Sequence, residues 1–177
     1  MRLLAVSGSL RRASTNTALL EALGGLAPVG VEIVMYREMG ALPHFNPDDD
    51  GDAPPPSVAS LRRLVGSSCG LIIAAPEYAH GVPGALKNVL DWLVASLEFP
   101  DKPVALINAA PRAHHAQAAL REILATMSAR LIAEAFILPP LTGQDSDADR
   151  IVANPALAQA LRAGLDRFTG AIRGDAA

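Results

Sequence analysis

The chain has 177 residues, half of them hydrophobic and 19% charged, with a formal net charge of -3. That balance lacks the low hydrophobicity and high charge of a disordered chain, and the length fits a single domain, residues 1–177, that buries roughly 70% of the surface its unfolded form would expose. The scattered basic residues argue against nucleic acid, no apolar run nears the roughly 20 residues of a membrane span, and Cys69 stands alone, which excludes an internal disulfide and suits a reducing cytoplasm.

The amino terminus runs into an apolar segment, residues 3–6, with no signal-peptide pattern before it. This segment and the aliphatic runs at 31–35, 71–75, 104–107 and 131–138 are nearly continuous rather than alternating, as in strands buried on both faces. Between them the apolar residues recur at helical spacing: Leu19, Leu23 and Leu26; then Val58, Leu61 and Val65; then Leu86, Leu90, Leu93 and Leu97; then Leu120, Ile123, Leu124 and Met127. A last helix starts with Asn154 as cap and Pro155 in its first position, turning Leu157, Leu161, Leu165 and Phe168 inward. Residues 43–56, with four aspartates, read as an exposed acidic loop. Its Asn46, Asp48, Asp50 and Gly51 superficially suggest a calcium loop, but the twelfth position is Ser57, where a bidentate glutamate is needed. Cys69, next to the third strand, reads as a small core residue.

Strict alternation of strand and helix predicts a parallel sheet with helices on both faces. Five strands favour an α/β, flavodoxin-like three-layer sandwich of order 2-1-3-4-5. In such sheets ligands lie beyond the carboxyl ends of the strands, so function is expected in the loops after Val6, Ala75 and Ile107.

The first of these loops, GSLRRASTN at residues 8–16, suits a phosphate monoester. Ser9, Ser14, Thr15 and Asn16 offer short polar groups, Arg11 offers a fixed charge with a fork of N–H donors, and the following helix start adds free backbone N–H groups. It has neither the GK[ST] ending of a triphosphate loop nor a full GxGxxG pattern. The second, APEYAHGVPGALKNVLDW at residues 75–92, suits a flat ring: Pro76 and Pro83 stiffen the backbone, Gly81 and Gly84 permit close approach, and Tyr78 supplies an aromatic surface, while Glu77 is also placed to hold the loop.

Together the two loops resemble the NADPH-dependent FMN reductase family, in which a GSLRxxSxN-like loop holds the FMN phosphate and a PEYN-x-x-x-PG-x-LKN-x-x-DW segment lines the isoalloxazine ring. The resemblance implies FMN as cofactor, with Ser9, Arg11, Ser14, Thr15 and Asn16 at its phosphate and Pro76, Glu77, Tyr78 and Ala79 at its ring. It extends the site to Pro111 and His114 in the loop AAPRAHH after the fourth strand, where the family carries a glycine-rich run. Position 79 departs from the family's asparagine. The resemblance further implies NADPH or NADH as donor, a small acceptor such as a quinone, and a homodimer or homotetramer paired near residues 86–97 with Trp92 projecting from the core-facing stripe.

In such an enzyme the flavin supplies the redox chemistry, no side chain is required as acid or base, and N–H groups at the helix start near His115 are placed to stabilise charge on the reduced ring. His114 and His115 are neighbours on a helix, about 100 degrees apart, which disfavours a shared metal ion and leaves one at the flavin rim and one in solvent. The competing classes are a flavodoxin-type electron carrier, which the modest charge and Arg11 disfavour, and a non-catalytic flavin sensor, which the altered AAPRAHH loop would suit.

Overall fold

In the computed structural model, residues 1–110, 114–145 and 147–174 are described. Strand β1 (Arg2–Ser7), helix α1 (Thr15–Leu26), β2 (Glu32–Tyr36), α2 (Pro56–Gly66), β3 (Gly70–Ala74), α3 (Gly84–Asp91), β4 (Pro103–Ile107), α4 (His114–Thr126), β5 (Arg130–Leu131), α5 (Ala148–Ala153) and α6 (Pro155–Gly174) follow one another along the chain. The five strands form one parallel sheet in the order β2-β1-β3-β4-β5, as the alternation of elements predicts.

The continuous apolar runs have a simple cause in the two-residue period of a strand. Leu4, Val6, Leu71, Ile73, Val104 and Leu106 turn to one face, where Val58, Leu61 and Val65 of α2, Leu86, Val89 and Leu90 of α3 and Leu120 and Leu124 of α4 cover them. Leu3, Ala5, Ile72, Ala74, Ala105 and Ile107 turn to the other, against Leu19, Leu20 and Leu23 of α1, Ile151 of α5 and Leu157, Leu161, Leu165 and Phe168 of α6. Every residue of β3 is buried, so neither face tolerates a polar side chain there. Asn154 caps α6 as expected, its Oδ1 accepting from the N–H groups of Ala156 and Leu157 at 3.2 and 3.4 Å.

Several expectations need correction. Of the run 131–138 only Leu131 is strand, in the two-residue β5 that begins at Arg130; this edge pairs with β4 alone, and the chain then leaves the sheet to pack Ala135 and Phe136 against the α6 side. Strand β2, also an edge, is half-exposed rather than buried on both faces. Cys69 is exposed, because it precedes β3 and only its N–H joins the sheet, donating to the Arg2 carbonyl at 2.8 Å. The short helix α5 was not anticipated.

The largest correction concerns the helix after Pro83. It ends at Asp91, with Trp92 as its C-cap, so the spacing extrapolated to Leu97 fails and Leu97 is 95% exposed. Trp92, expected at a subunit contact, is 0% exposed within its own chain. Its indole N–H donates to the Pro43 carbonyl at 2.9 Å and its ring meets Phe45 edge-on at a centroid distance of 5.1 Å. Asn88 adds a second clamp, donating to the same carbonyl at 2.9 Å and accepting from the Phe45 N–H at 2.7 Å. Arg62 completes the anchorage: it donates to the Trp92 carbonyl at 2.8 Å and pairs with Asp50 at 2.7 Å, both side chains largely buried. The acidic loop is therefore pinned at Pro43, Phe45 and Asp50, although much of its surface is exposed.

Trp92→Phe keeps most of the packing and removes only the indole donor, leaving the Pro43 carbonyl with one partner fewer. It is expected to cost about 1–2 kcal/mol, read as a lower urea midpoint at unchanged slope. An unchanged midpoint would show that the loop is not held through this bond.

Candidate functional site

Two loops meet where β1 and β3 leave the sheet side by side. The Gly8 N–H donates to the Ala74 carbonyl at 2.7 Å, and a Cβ at Gly8 would stand 2.8 Å from that of Ala75. Only glycine passes this point. Beyond it the chain is braced by its own hydroxyls: Ser7 Oγ and Thr17 Oγ1 bond at 2.7 Å, and the N–H groups of Ser9 and Arg11 donate to Ser7 Oγ and Ser9 Oγ, each at 3.3 Å. Ser14 caps α1, accepting from the Thr17 N–H at 3.4 Å. Among the described residues the N–H groups of Thr15 and Asn16 and the Arg11 guanidinium keep no partner within the chain. Three groups of positive polarity thus remain at the start of a helix, where its dipole reinforces them.

On the second loop, Tyr78 and Gly81 exchange backbone bonds of 3.2 and 2.9 Å across a tight turn. Its central residues, Ala79 and His80, lie at φ of 49 and 61 degrees, in the left-handed region that asparagine and glycine enter far more readily than alanine. The departure at Ala79 therefore bears on the backbone of the turn.

Glu77 ties this loop to α4, its Oε2 accepting the Ala116 N–H at 2.8 Å. That bond, followed by the nearby His115 and His80, holds its carboxyl below the usual glutamate range. The helix start near His115, expected to face the reduced ring, has this N–H already occupied by Glu77. His115 stacks on His80 at 4.2 Å and meets His114 at 4.0 Å.

The loops enclose a cleft of about 570 Å³ lined by Ser9, Arg11, Ser14, Thr15 and Asn16 on one side and Pro76, Glu77 and Tyr78 on the other. Eight of the predicted site residues are thus brought together. Ala79 and His114 lie outside this lining, and Pro111 lies outside the described residues. A hollow of about 610 Å³ lies across the same loop, between α1 and the end of β2, and carries the Arg37–Glu21 ion pair at 3.0 Å.

Ala109 and Ala110, from the loop expected after the fourth strand, also line the cleft, as do Leu141 and Thr142, to which no sequence motif points. Leu141 and Thr142 follow the Pro139-Pro140 pair. Behind them Asp145, 4% exposed, accepts from the Thr142 N–H and hydroxyl at 2.7 and 2.8 Å and from Asn154 Nδ2 at 3.0 Å. These bonds, the Thr142 N–H foremost, hold its carboxyl below the usual aspartate range.

The residues present fit FMN. The unpaired Arg11 and the helix N–H groups suit a phosphate dianion, Pro76, Ala109, Ala110 and Leu141 suit a flat ring, and the buried Asn16 Oδ1, which has no partner, calls for a donor such as a ribityl hydroxyl. Among the described residues, no group of three or more His, Cys, Asp or Glu is arranged to hold a metal ion.

Residues 1–142 match the family described as NADPH-dependent FMN reductase. The NAD(P)H-dependent FMN reductase of Pseudomonas aeruginosa is 35% identical over 111 residues, 62% of this chain and 60% of that protein. The quinone reductase of Escherichia coli is 31% identical over 106 residues, 59% of this chain and 55% of the other. Among solved structures, the flavoenzyme NAD(P)H:(acceptor) oxidoreductase FerB of Paracoccus denitrificans superposes with a TM-score of 0.78 at 28% identity, covering 96% of this chain and 97% of its own. The chain spans less than two thirds of the length of the two sequence relatives.

Two outcomes are expected of this site. Ala79→Asn, which suits the left-handed backbone, should stabilise the protein by about 0.5–1 kcal/mol in urea titration; a loss of stability would contradict the turn geometry. Glu77 has a folded-state pKa below its unfolded value of about 4.3, so its contribution is complete above that value and lost as pH falls through the folded one. The Tm difference between wild type and Glu77→Gln should hold from about pH 7 to pH 5 and shrink in stronger acid. A difference that grew on acidification would reverse this assignment.

Proposed function

This chain belongs to the NADPH-dependent FMN reductase family, and we propose that it is an NAD(P)H-dependent oxidoreductase that passes reducing equivalents through bound FMN to a small acceptor such as a quinone. One observation carries the reading: the unpaired Arg11, the open start of α1 and the Pro76–Tyr78 segment line a single cleft. When bound there, FMN supplies the hydride chemistry, which no protein side chain can perform.

The chain's part is to hold and orient. Arg11, Ser9, Ser14 and the N–H groups of Thr15 and Asn16 grip the phosphate. Pro76, Glu77 and Tyr78 set the ring's place, with Glu77 stiffening its loop through α4. Donor and acceptor occupy the same open side of the cleft in turn, so steady-state kinetics should be ping-pong. The quinone reductase named among the relatives favours a quinone as acceptor.

The assembly we propose is a homodimer or homotetramer. Val94 and Leu97, exposed in the segment after α3, are its apolar contact, in place of the buried Trp92. The single cysteine suits a cytoplasmic setting.

Arg11→Ala should weaken FMN binding about ten- to a hundredfold, the worth of a charge-assisted phosphate contact, and leave riboflavin affinity nearly unchanged. Fluorescence titration of both flavins measures this, and anaerobic addition of NADPH to the flavin-loaded wild type should bleach the flavin absorbance. Equal losses for both flavins would displace the phosphate from Arg11. Failure of wild type to bind flavin would overturn the reading as a whole.

A further inference from the structure

Asp145 appears in neither sequence motif, yet its carboxylate reaches the cleft wall through one residue. Both Thr142 bonds end on Oδ2, and Oδ1 is taken by Asn154, which also caps α6. The cleft wall is thus bound to the start of the longest helix.

The chemistry of these bonds fixes a polarity. An ionised carboxylate only accepts, so the Thr142 hydroxyl must donate its single hydrogen to Asp145. The Gln144 N–H, at 3.3 Å, uses one of the hydroxyl's two acceptor sites. What Thr142 has left for a ligand is acceptance. Asn16, on the facing loop and lining the same cleft, carries a buried Oδ1 that has no donor. A phosphate dianion has no hydrogen for either oxygen; a chain of alcohol groups has several.

We propose that Asp145 is a positioning residue that locks the Thr142 hydroxyl into an acceptor role, so that Thr142 and Asn16 together select a ligand with a hydroxyl-bearing chain, the polyol arm of a flavin. The inference rests on the flavin reading above. The low carboxyl pKa of Asp145 agrees with it, since the lock requires ionisation at neutral pH.

The test compares FMN, riboflavin and lumiflavin, which has the ring but no polyol arm, by fluorescence titration of wild type, Asp145→Asn, Thr142→Val and Thr142→Ser. Asp145→Asn can turn an amide donor toward Thr142 and reverse the hydroxyl. It should weaken FMN and riboflavin by the same factor, about five- to tenfold for one hydrogen bond, and leave lumiflavin unchanged. Thr142→Val should do likewise, and Thr142→Ser should restore wild-type values. Equal weakening of lumiflavin, or an effect on FMN and not riboflavin, overturns the proposal, as does an unchanged affinity in either variant. If Asp145→Asn does not fold, Thr142→Val against Thr142→Ser decides alone. Wild type that binds no flavin takes this proposal down with the function, whereas normal wild-type binding and unaffected variants refute this proposal only.

Discussion

The close approach of Gly8 to Ala74 and Ala75 is the constraint on which the site depends. Strands β1 and β3 pair along their whole length, so their outgoing chains emerge at strand spacing, and a side chain at residue 8 would force them apart. With glycine there, the loop that leads into α1 and the loop that carries Pro76 to Tyr78 share one hollow. Neither loop contains regular structure of its own, and each is placed by the sheet beneath it.

Two carboxylates finish what the sheet begins. Glu77 reaches across to the start of α4 and Asp145 back to the start of α6, and each meets neutral N–H or hydroxyl donors rather than a cation. Such bonds depend on direction as well as distance, and so fix irregular segments more narrowly than an ion pair would. Loss of either leaves donors at a helix start or a loop unsatisfied.

Much of this was legible in the sequence because burial on both faces of a parallel sheet leaves little choice of residue: the runs at Leu71 and Val104 announce themselves. The loop after β1 was equally legible as one wall of the cleft, since its polar character lies in local side chains. What escaped depends on contacts between distant residues. The two-residue β5 is set by how far the chain can run before Phe136 turns toward Gly164, which no local pattern records. The lining by Leu141 and Thr142 required Asp145 and Asn154 to be placed first. Leu93 turns inward as its spacing implies, but the extrapolation to Leu97 misled because the helix stops at Asp91 and Arg62 takes the Trp92 carbonyl just beyond it.

The burial of Trp92 also has a spectroscopic consequence. As the sole tryptophan of the chain, it is the dominant source of the protein's long-wavelength emission, and its indole N–H is committed to the carbonyl of Pro43. Emission from this protein therefore reports first on whether the 43–45 segment is seated. A shift to the red marks release of that segment into water, and a chain can display it while the sheet and its cleft remain intact.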